Sequence, residues 1–185
     1  MNTTLVLFGA SEHWLPPPWT TTDDRVRGGA SRSYLSALPD NGARFHGHLD
    51  TSTLGGAGFA SQFSPLDAAV AGEDERKSGW DLSAYDGVEV AVGKSDGKVY
   101  TLILKDEALD ERREDGREKA GVNWEVEFEA AGKGGKEKGE EEKREGTRIW
   151  APWGDFKATY RGKEKEDAGD LKTGQIRRVG LMMRR

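Results

Sequence analysis

The chain has no cysteine among its 185 residues. That absence excludes disulfides, thiolate metal sites and thiol nucleophiles. Long apolar runs are also missing. The best stretches, 5–8 and 88–92, fall far short of the roughly 20 residues that a spanning helix needs, so no membrane span is expected. Residues 1–19 contain no Lys or Arg and carry Glu12. Such a start lacks the basic opening of a secretory signal and the arginines of a mitochondrial presequence, and taken alone it points to the cytoplasm. Positive charge is in the minority, with 28 Lys and Arg against 33 Asp and Glu and a formal net charge of -5. A generic nucleic-acid or anionic-membrane binder carries the opposite sign, so nucleic acid is disfavoured as a partner.

What the chain does have is glycine, 25 residues spread between short apolar runs. This is the punctuation of a β protein. In Asn123–Glu129, Trp124, Val126 and Phe128 alternate with Glu125, Glu127 and Glu129, giving one apolar and one acidic face. Residues 44–50 and 88–92 show the same period, whereas 99–104 is apolar on both faces and suits a central strand. Further candidate strands are 5–8, 33–38, 58–63, 148–150 and 175–183. Asp96-Gly97, between two of the clearest strands, predicts a hairpin turn. The reading is an all-β sandwich of about eight or nine strands with little helix, in one domain spanning 1–185. Short helical turns are conceivable at 65–71 and within 106–118. Residues 72–79 read as a polar loop. Residues 132–146 balance Lys and Arg against Glu with no apolar residue, and read as a flexible low-complexity insertion.

Several clusters are candidates for chemistry. In Asp23-Asp24-Arg25-Val26-Arg27-Gly28-Gly29, alternating charges precede a Gly-Gly turn. They serve either as a recognition loop for sugar hydroxyls, a polar ligand or a partner, or as an internally paired turn at the start of a core strand. The glycines of 55–58 lack the Lys-Ser/Thr ending of a phosphate-binding loop and read better as a tight strand connection. His46 and His48 share one strand face, which Asp50 continues, yet no third strong ligand from a neighbouring strand is identifiable, so no metal site is assigned. Of six tryptophans, Trp124 reads as core, while Trp80 and Trp153 read as plugs at a sandwich end or as stacking surfaces. Lys105-Asp106 and Tyr160-Arg161 put charge at strand ends, where loop-borne sites tend to lie. No catalytic constellation stands above background and no cofactor is expected.

Seven motifs occur in a fixed order: Trp19 with Asp23 through Ser31; Phe45 through Asp50; Thr53 through Gln62; Trp80 through Glu89; Asp96 through Asp106; Phe156 through Gly162; and Ile176-Arg177-Arg178 with Met182-Met183-Arg184. Together they resemble the complex I intermediate-associated protein family, the NADH:ubiquinone oxidoreductase assembly-factor domain, in its compact fungal form. The resemblance implies a galactose-binding-domain-like jelly roll. It implies a non-enzymatic assembly factor whose partner is an intermediate of respiratory complex I. It also implies a mitochondrial location, against the cytoplasmic reading of residues 1–19. The residues that would form the framework or binding surface are Trp19, Asp23, Asp24, Arg25, Arg27, Gly28, Gly29, Trp80, Lys105, Asp106, Trp153, Tyr160 and Arg161. Family members continue past Met-Met-Arg with a closing strand. Its place is expected to be an open sheet edge, filled by a neighbouring chain or another segment, with a homo-oligomer as one outcome.

Other functions remain open at this point. One is a carbohydrate or small-ligand module in which Trp14, Trp19, Trp80 or Trp153 stacks on the ligand while Asp24 and Arg27 bond its hydroxyls. Another is an enzyme of fungal metabolism, which would need buried ionisable groups converging in one pocket. RNA binding is the weakest, given the net charge.

Overall fold

A computed structural model describes residues 4–9, 14, 19–65, 79–107, 114, 119–130 and 146–185. It contains the strands β1 (Thr20–Asp23), β2 (Arg32–Ala37), β3 (Ala43–His48), β4 (Phe59–Phe63), β5 (Gly87–Val92), β6 (Val99–Lys105), β7 (Asn123–Glu129), β8 (Thr147–Pro152), β9 (Lys157–Tyr160), β10 (Lys163–Glu164) and β11 (Arg178–Arg184). Helix among the described residues is limited to short 3-10 turns, at Asp24–Arg27, Trp153–Asp155 and Thr173–Gln175. The expected loop at 72–79, the helical turns at 65–71 and within 106–118, and the insertion at 132–146 fall almost wholly outside the described residues.

The protein is an antiparallel β-sandwich. One curled sheet has the order β1-β4-β11-β6-β7-β9-β10, and the pairs β2-β3 and β5-β8 form separate two-stranded sheets. Neighbours in the large sheet are mostly non-consecutive in sequence, which is the crossed connectivity of a jelly roll and not that of a meander. Leu102 and Leu104 of β6 and Trp124 of β7 point to the main core, where they meet Leu82, Ala151, Phe156, Ala158, Ile176 and Val179. The intervening Ile103 points to the opposite face, with Phe63 and Met182. Apolar residues on both faces are therefore satisfied because β6 lies in the middle of the sheet, between β11 and β7.

Three details depart from the sequence reading. Among the described residues there are eleven strands, where the sequence reading predicts about eight or nine. β1 is a run of three threonines and an aspartate, and β10 has two residues; neither is long enough to show a period. Residues 5–8 form no strand. Leu7 and Phe8 pack against the core by their side chains, and Gly9 turns the backbone with φ +86°. Asp96-Gly97 is a turn but not a hairpin. β5 pairs with β8, and β6 with β7 and β11, so this turn carries the chain from one sheet to another. Gly97 has φ +73°, and the Asp96 carboxylate accepts the Lys98 N–H and the Tyr100 hydroxyl. The local chemistry of the turn was right, but the pairing partners come from elsewhere in the chain.

Gly180 shows how tightly the large sheet is built. It pairs with Phe63 on one side and Ile103 on the other. A Cβ at this position would sit 2.5 Å from Cε1 of the Phe63 ring. That ring is itself held by the Lys105 ammonium, 4.8 Å from its centroid, and the Arg178 guanidinium, 5.6 Å away. Gly180→Ala is expected to lower stability by about 1–3 kcal/mol through this overlap. Urea denaturation measures it, with an unchanged m-value if the native fold is kept.

Candidate functional site

The charged motif 23–29 divides into an inward and an outward half. Asp23 ends β1 and caps the 3-10 turn, accepting the Arg25 N–H at 3.2 Å. The same carboxylate takes the Arg25 guanidinium in a two-pronged pair, at 2.8 Å from Nε and 2.6 Å from Nη2. Asp24 is 1% exposed. Its carboxylate accepts the Ser31 N–H at 2.9 Å, the Ser31 hydroxyl at 2.5 Å and the Phe59 N–H at 3.2 Å. Ser31 Oγ in turn accepts the Asp50 N–H at 3.0 Å. One buried charge thus joins the turn after β1, the start of β2 and the start of β4, and reaches the end of β3 through a hydroxyl.

The glycines make this corner possible. Gly28 has φ +85° and ends the turn in a left-handed conformation. Gly29 has no room for a side chain, because a Cβ would lie 2.4 Å from Asp24 Oδ1. The arginines face the other way. Arg25 remains 45% exposed despite its ion pair, and Arg27 is exposed with its guanidinium 6.0 Å from the Phe59 ring centroid. The paired-turn alternative therefore accounts for both aspartates and both glycines. Arg25 and Arg27, with the exposed Val26 between them, are the side chains of the motif that offer a surface to another molecule.

The other sequence-derived residues do not converge on this corner. Trp19 donates its indole N–H to the Trp14 carbonyl and packs on Phe8, 5.1 Å between ring centroids. Trp80 meets Phe8 edge-on at 5.5 Å and exchanges backbone hydrogen bonds with Ile176. Phe8, Trp14, Trp19 and Trp80 form one aromatic plug, tied to the β2–β3 turn by the Trp14 indole on the Asn41 carbonyl. Trp153 plugs a second place, bonding the Tyr85 carbonyl and packing on Phe156. Lys105 covers Phe63, and buried Asp106 accepts the Lys172 N–H at 3.0 Å. Tyr160 and Arg161 form the tip of the β9–β10 hairpin, with Arg161 at φ +54° and its guanidinium 5.3 Å from the Tyr160 ring centroid. β10 and β1 lie at opposite ends of the large sheet's strand order, six strand spacings or roughly 29 Å apart measured along the curled sheet. The thirteen residues are distributed anchors and tips, not one cleft.

At 55–58 the tight-connection reading holds. Gly55 and Gly56 have φ +67° and +100°, and Gly58 exchanges backbone hydrogen bonds with Arg185. A Cβ on Gly58 would sit 2.3 Å from the Asp50 carbonyl oxygen. His46 and His48 do share a strand face, but Asp50 leaves it and turns inward. Among the described residues no group of three His, Cys, Asp or Glu comes together as metal ligands would. Ser31, fully buried at the centre of the corner, was read only as the end of the first motif and given no role, because nothing beside a serine in sequence shows which distant groups it will bond. Sequence reading also missed Trp150, which is 55% exposed. Trp150 lies against Gly87, where a Cβ would be 2.9 Å from the indole, beside the Arg148–Glu89 ion pair.

The fold and the corner define a β-sandwich domain whose framework absorbs its own acidic motif. The chain belongs to the family Complex I intermediate-associated protein 30 (CIA30), which it matches over residues 6–185. It is also similar to an uncharacterized protein of Schizosaccharomyces pombe, C9E9.15. The two are 35% identical over 184 residues, covering 97% of this chain and 74% of the relative.

Removing the Asp24 carboxylate strands three donors in a buried corner, whereas Arg27 makes one exposed contact. Asp24→Ala is expected to cost about 3 kcal/mol or more, and Arg27→Ala no more than about 0.5 kcal/mol, by urea denaturation. Asp50 gives a pH signature. The Ser52 hydroxyl, then the Thr53 hydroxyl and the Ser52 N–H, hold its carboxyl well below the usual carboxylate range. A lowered pKa in the folded state contributes stability that is present above the ordinary carboxylate pKa of about 4 and is lost as pH falls below it. The stability gap between wild type and Asp50→Asn is therefore expected to shrink between about pH 5 and pH 2, followed by thermal melts across that range.

Proposed function

We propose that this chain is a non-enzymatic scaffold that binds a protein partner in the mitochondrion, in the assembly of respiratory complex I or in a paralogous role. The observation that carries this reading is the division of the charged motif within a CIA30 chain. Asp23 and Asp24 are committed to Arg25, Ser31 and Phe59, so the groups that an acid–base reaction would use are engaged in holding the corner. Arg25 and Arg27 stay outward, suited to gripping a surface. Family membership over 6–185 supports complex I assembly as the setting and the mitochondrion as the location.

A carbohydrate or small-ligand module is the second reading. Trp150 favours it, as an exposed ring on the outward face of β5–β8 flanked by Arg148 and Glu89. The residues named for it from sequence do not. Trp14, Trp19, Trp80 and Trp153 are engaged with other rings or carbonyls, and Asp24 is buried.

The test is recovery from the protein's own cells. Full-length tagged chain, crosslinked in intact mitochondria and purified under denaturing conditions, is expected to bring down complex I subunits in partly built subassemblies. A chain that enriches in the cytosol, or that yields no complex I subunit after crosslinking, overturns the proposal.

A further inference from the structure

The outward face of the β2–β3 hairpin is cationic in an otherwise acidic protein. The register sets Arg32 opposite His48, Tyr34 opposite His46, and Ser36 opposite Arg44. Strand alternation puts these six side chains on one face. The intervening residues fix that face as outward. Ser33 is buried and accepts from the Gln62 amide, Phe45 meets Tyr100 edge-on, and Gly47 lies where a Cβ would be 2.8 Å from the Met183 methyl.

Among the described residues the face carries no carboxylate. Arg32, Arg44 and His48 are exposed, and neither arginine has an ion pair among the described residues. Tyr34 is 50% exposed and stacks on His46, 5.5 Å between centroids at 27°, while His46 Nε2 is 3.1 Å from Ser36 Oγ. The carboxylates at the two ends of the hairpin are occupied locally. Asp40 accepts the Gly42 N–H, and buried Asp50 accepts the Ser52 N–H and hydroxyl. Arg25 and Arg27 lie just before this hairpin in the chain. With a net charge of -5, a strip of unneutralised guanidinium groups around an exposed aromatic stack is a complement awaiting an anion.

We propose that this face docks an acidic segment of a protein partner, with Arg32 and Arg44 each pairing a carboxylate and the Tyr34–His46 stack packing an apolar residue between them. Arg32 and Arg44 are separated by four residues along the strands and one strand across, roughly 14 Å. Carboxylates about four residues apart on an extended chain span the same distance. The footprint argues for protein and against nucleic acid. One face of Tyr34 is already covered by His46, which removes half of a base-stacking platform, and a polyphosphate meets more repulsion from the net charge than a short acidic segment does.

This inference rests on the scaffold reading, and the test separates the two. The probe is a labelled ten-residue peptide with two glutamates four positions apart around a central phenylalanine, titrated into the full chain by fluorescence anisotropy. Arg32→Glu/Arg44→Glu is expected to weaken binding at least about tenfold. Lys94→Glu/Lys163→Glu, which changes the net charge equally on exposed sites elsewhere, is expected to leave it within about twofold. Arg32→Gln/Arg44→Gln, a milder pair, is expected to fall between them, and urea midpoints confirm that all variants fold. The inference is overturned if the glutamine version of the peptide binds as well, if the control pair weakens binding as much, or if a ten-nucleotide RNA binds more tightly than the peptide. Crosslinked complex I subunits recovered equally by wild type and Arg32→Glu/Arg44→Glu would sink the docking face and leave the scaffold standing. Loss of peptide binding on reversal, with no complex I subunit recovered by wild type, would do the opposite.

Discussion

A carboxylate taken out of water costs several kcal/mol unless its lone pairs are met. At Asp24 they are met by two donors from Ser31 and one from the Phe59 backbone, so the charge is stable only where these segments converge. The constraint works in both directions. The turn after β1 cannot close without Ser31 arriving at the start of β2, and β2 cannot sit over β4 without the turn in place. Gln62 of β4 reinforces the same contact by donating a side-chain amide hydrogen bond to the Ser33 carbonyl at 2.8 Å. The positions of the β2–β3 hairpin, its outward face and the aromatic plug at its turn all follow from this corner.

The corner also explains how one charged motif serves structure and recognition together. Adjacent side chains in the 3-10 turn diverge, so Asp24 is driven inward while Arg25 and Arg27 are driven out. Neutralising Asp24 with donors from neutral groups, and not with an arginine, leaves the Arg27 guanidinium free of structural duty, while Arg25 neutralises Asp23 and still keeps part of its surface outward. The long-range disposition follows the same rule. Trp80, Trp153 and Asp106 hold connections at separate points, and Tyr160 and Arg161 cap a hairpin tip at the far end of the sheet.

Much of the fold was legible because β-strands have a period of two. β7, with Trp124, Val126 and Phe128 set against three glutamates, shows its two faces in its spelling, and β6 shows its central place by having no polar face. What was not legible depended on partners distant in sequence. Whether Asp24 is buried is decided by Phe59, 35 residues on. Whether Asp96-Gly97 makes a hairpin is decided by β8 and β11. Glu125 reads as a solvent-facing acid, yet it is buried under Arg184, which reaches across β6 to bond it at 2.7 Å. The alternation of Arg44, His46 and His48 was visible, but its meaning required the register that sets Arg32 and Tyr34 beside them.

The seat of β11 has a kinetic side. It joins β4 to β6 in the large sheet, and it comes after both in the chain. Until it is made, β1-β4 and β6-β7-β9-β10 are two half-sheets with bare edges and a half-covered apolar floor. Contacts spanning more than a hundred residues close slowly, and exposed edges invite pairing with other chains. A chain stopped before residue 178 would therefore present two half-sheets with sticky edges in place of a shortened sandwich.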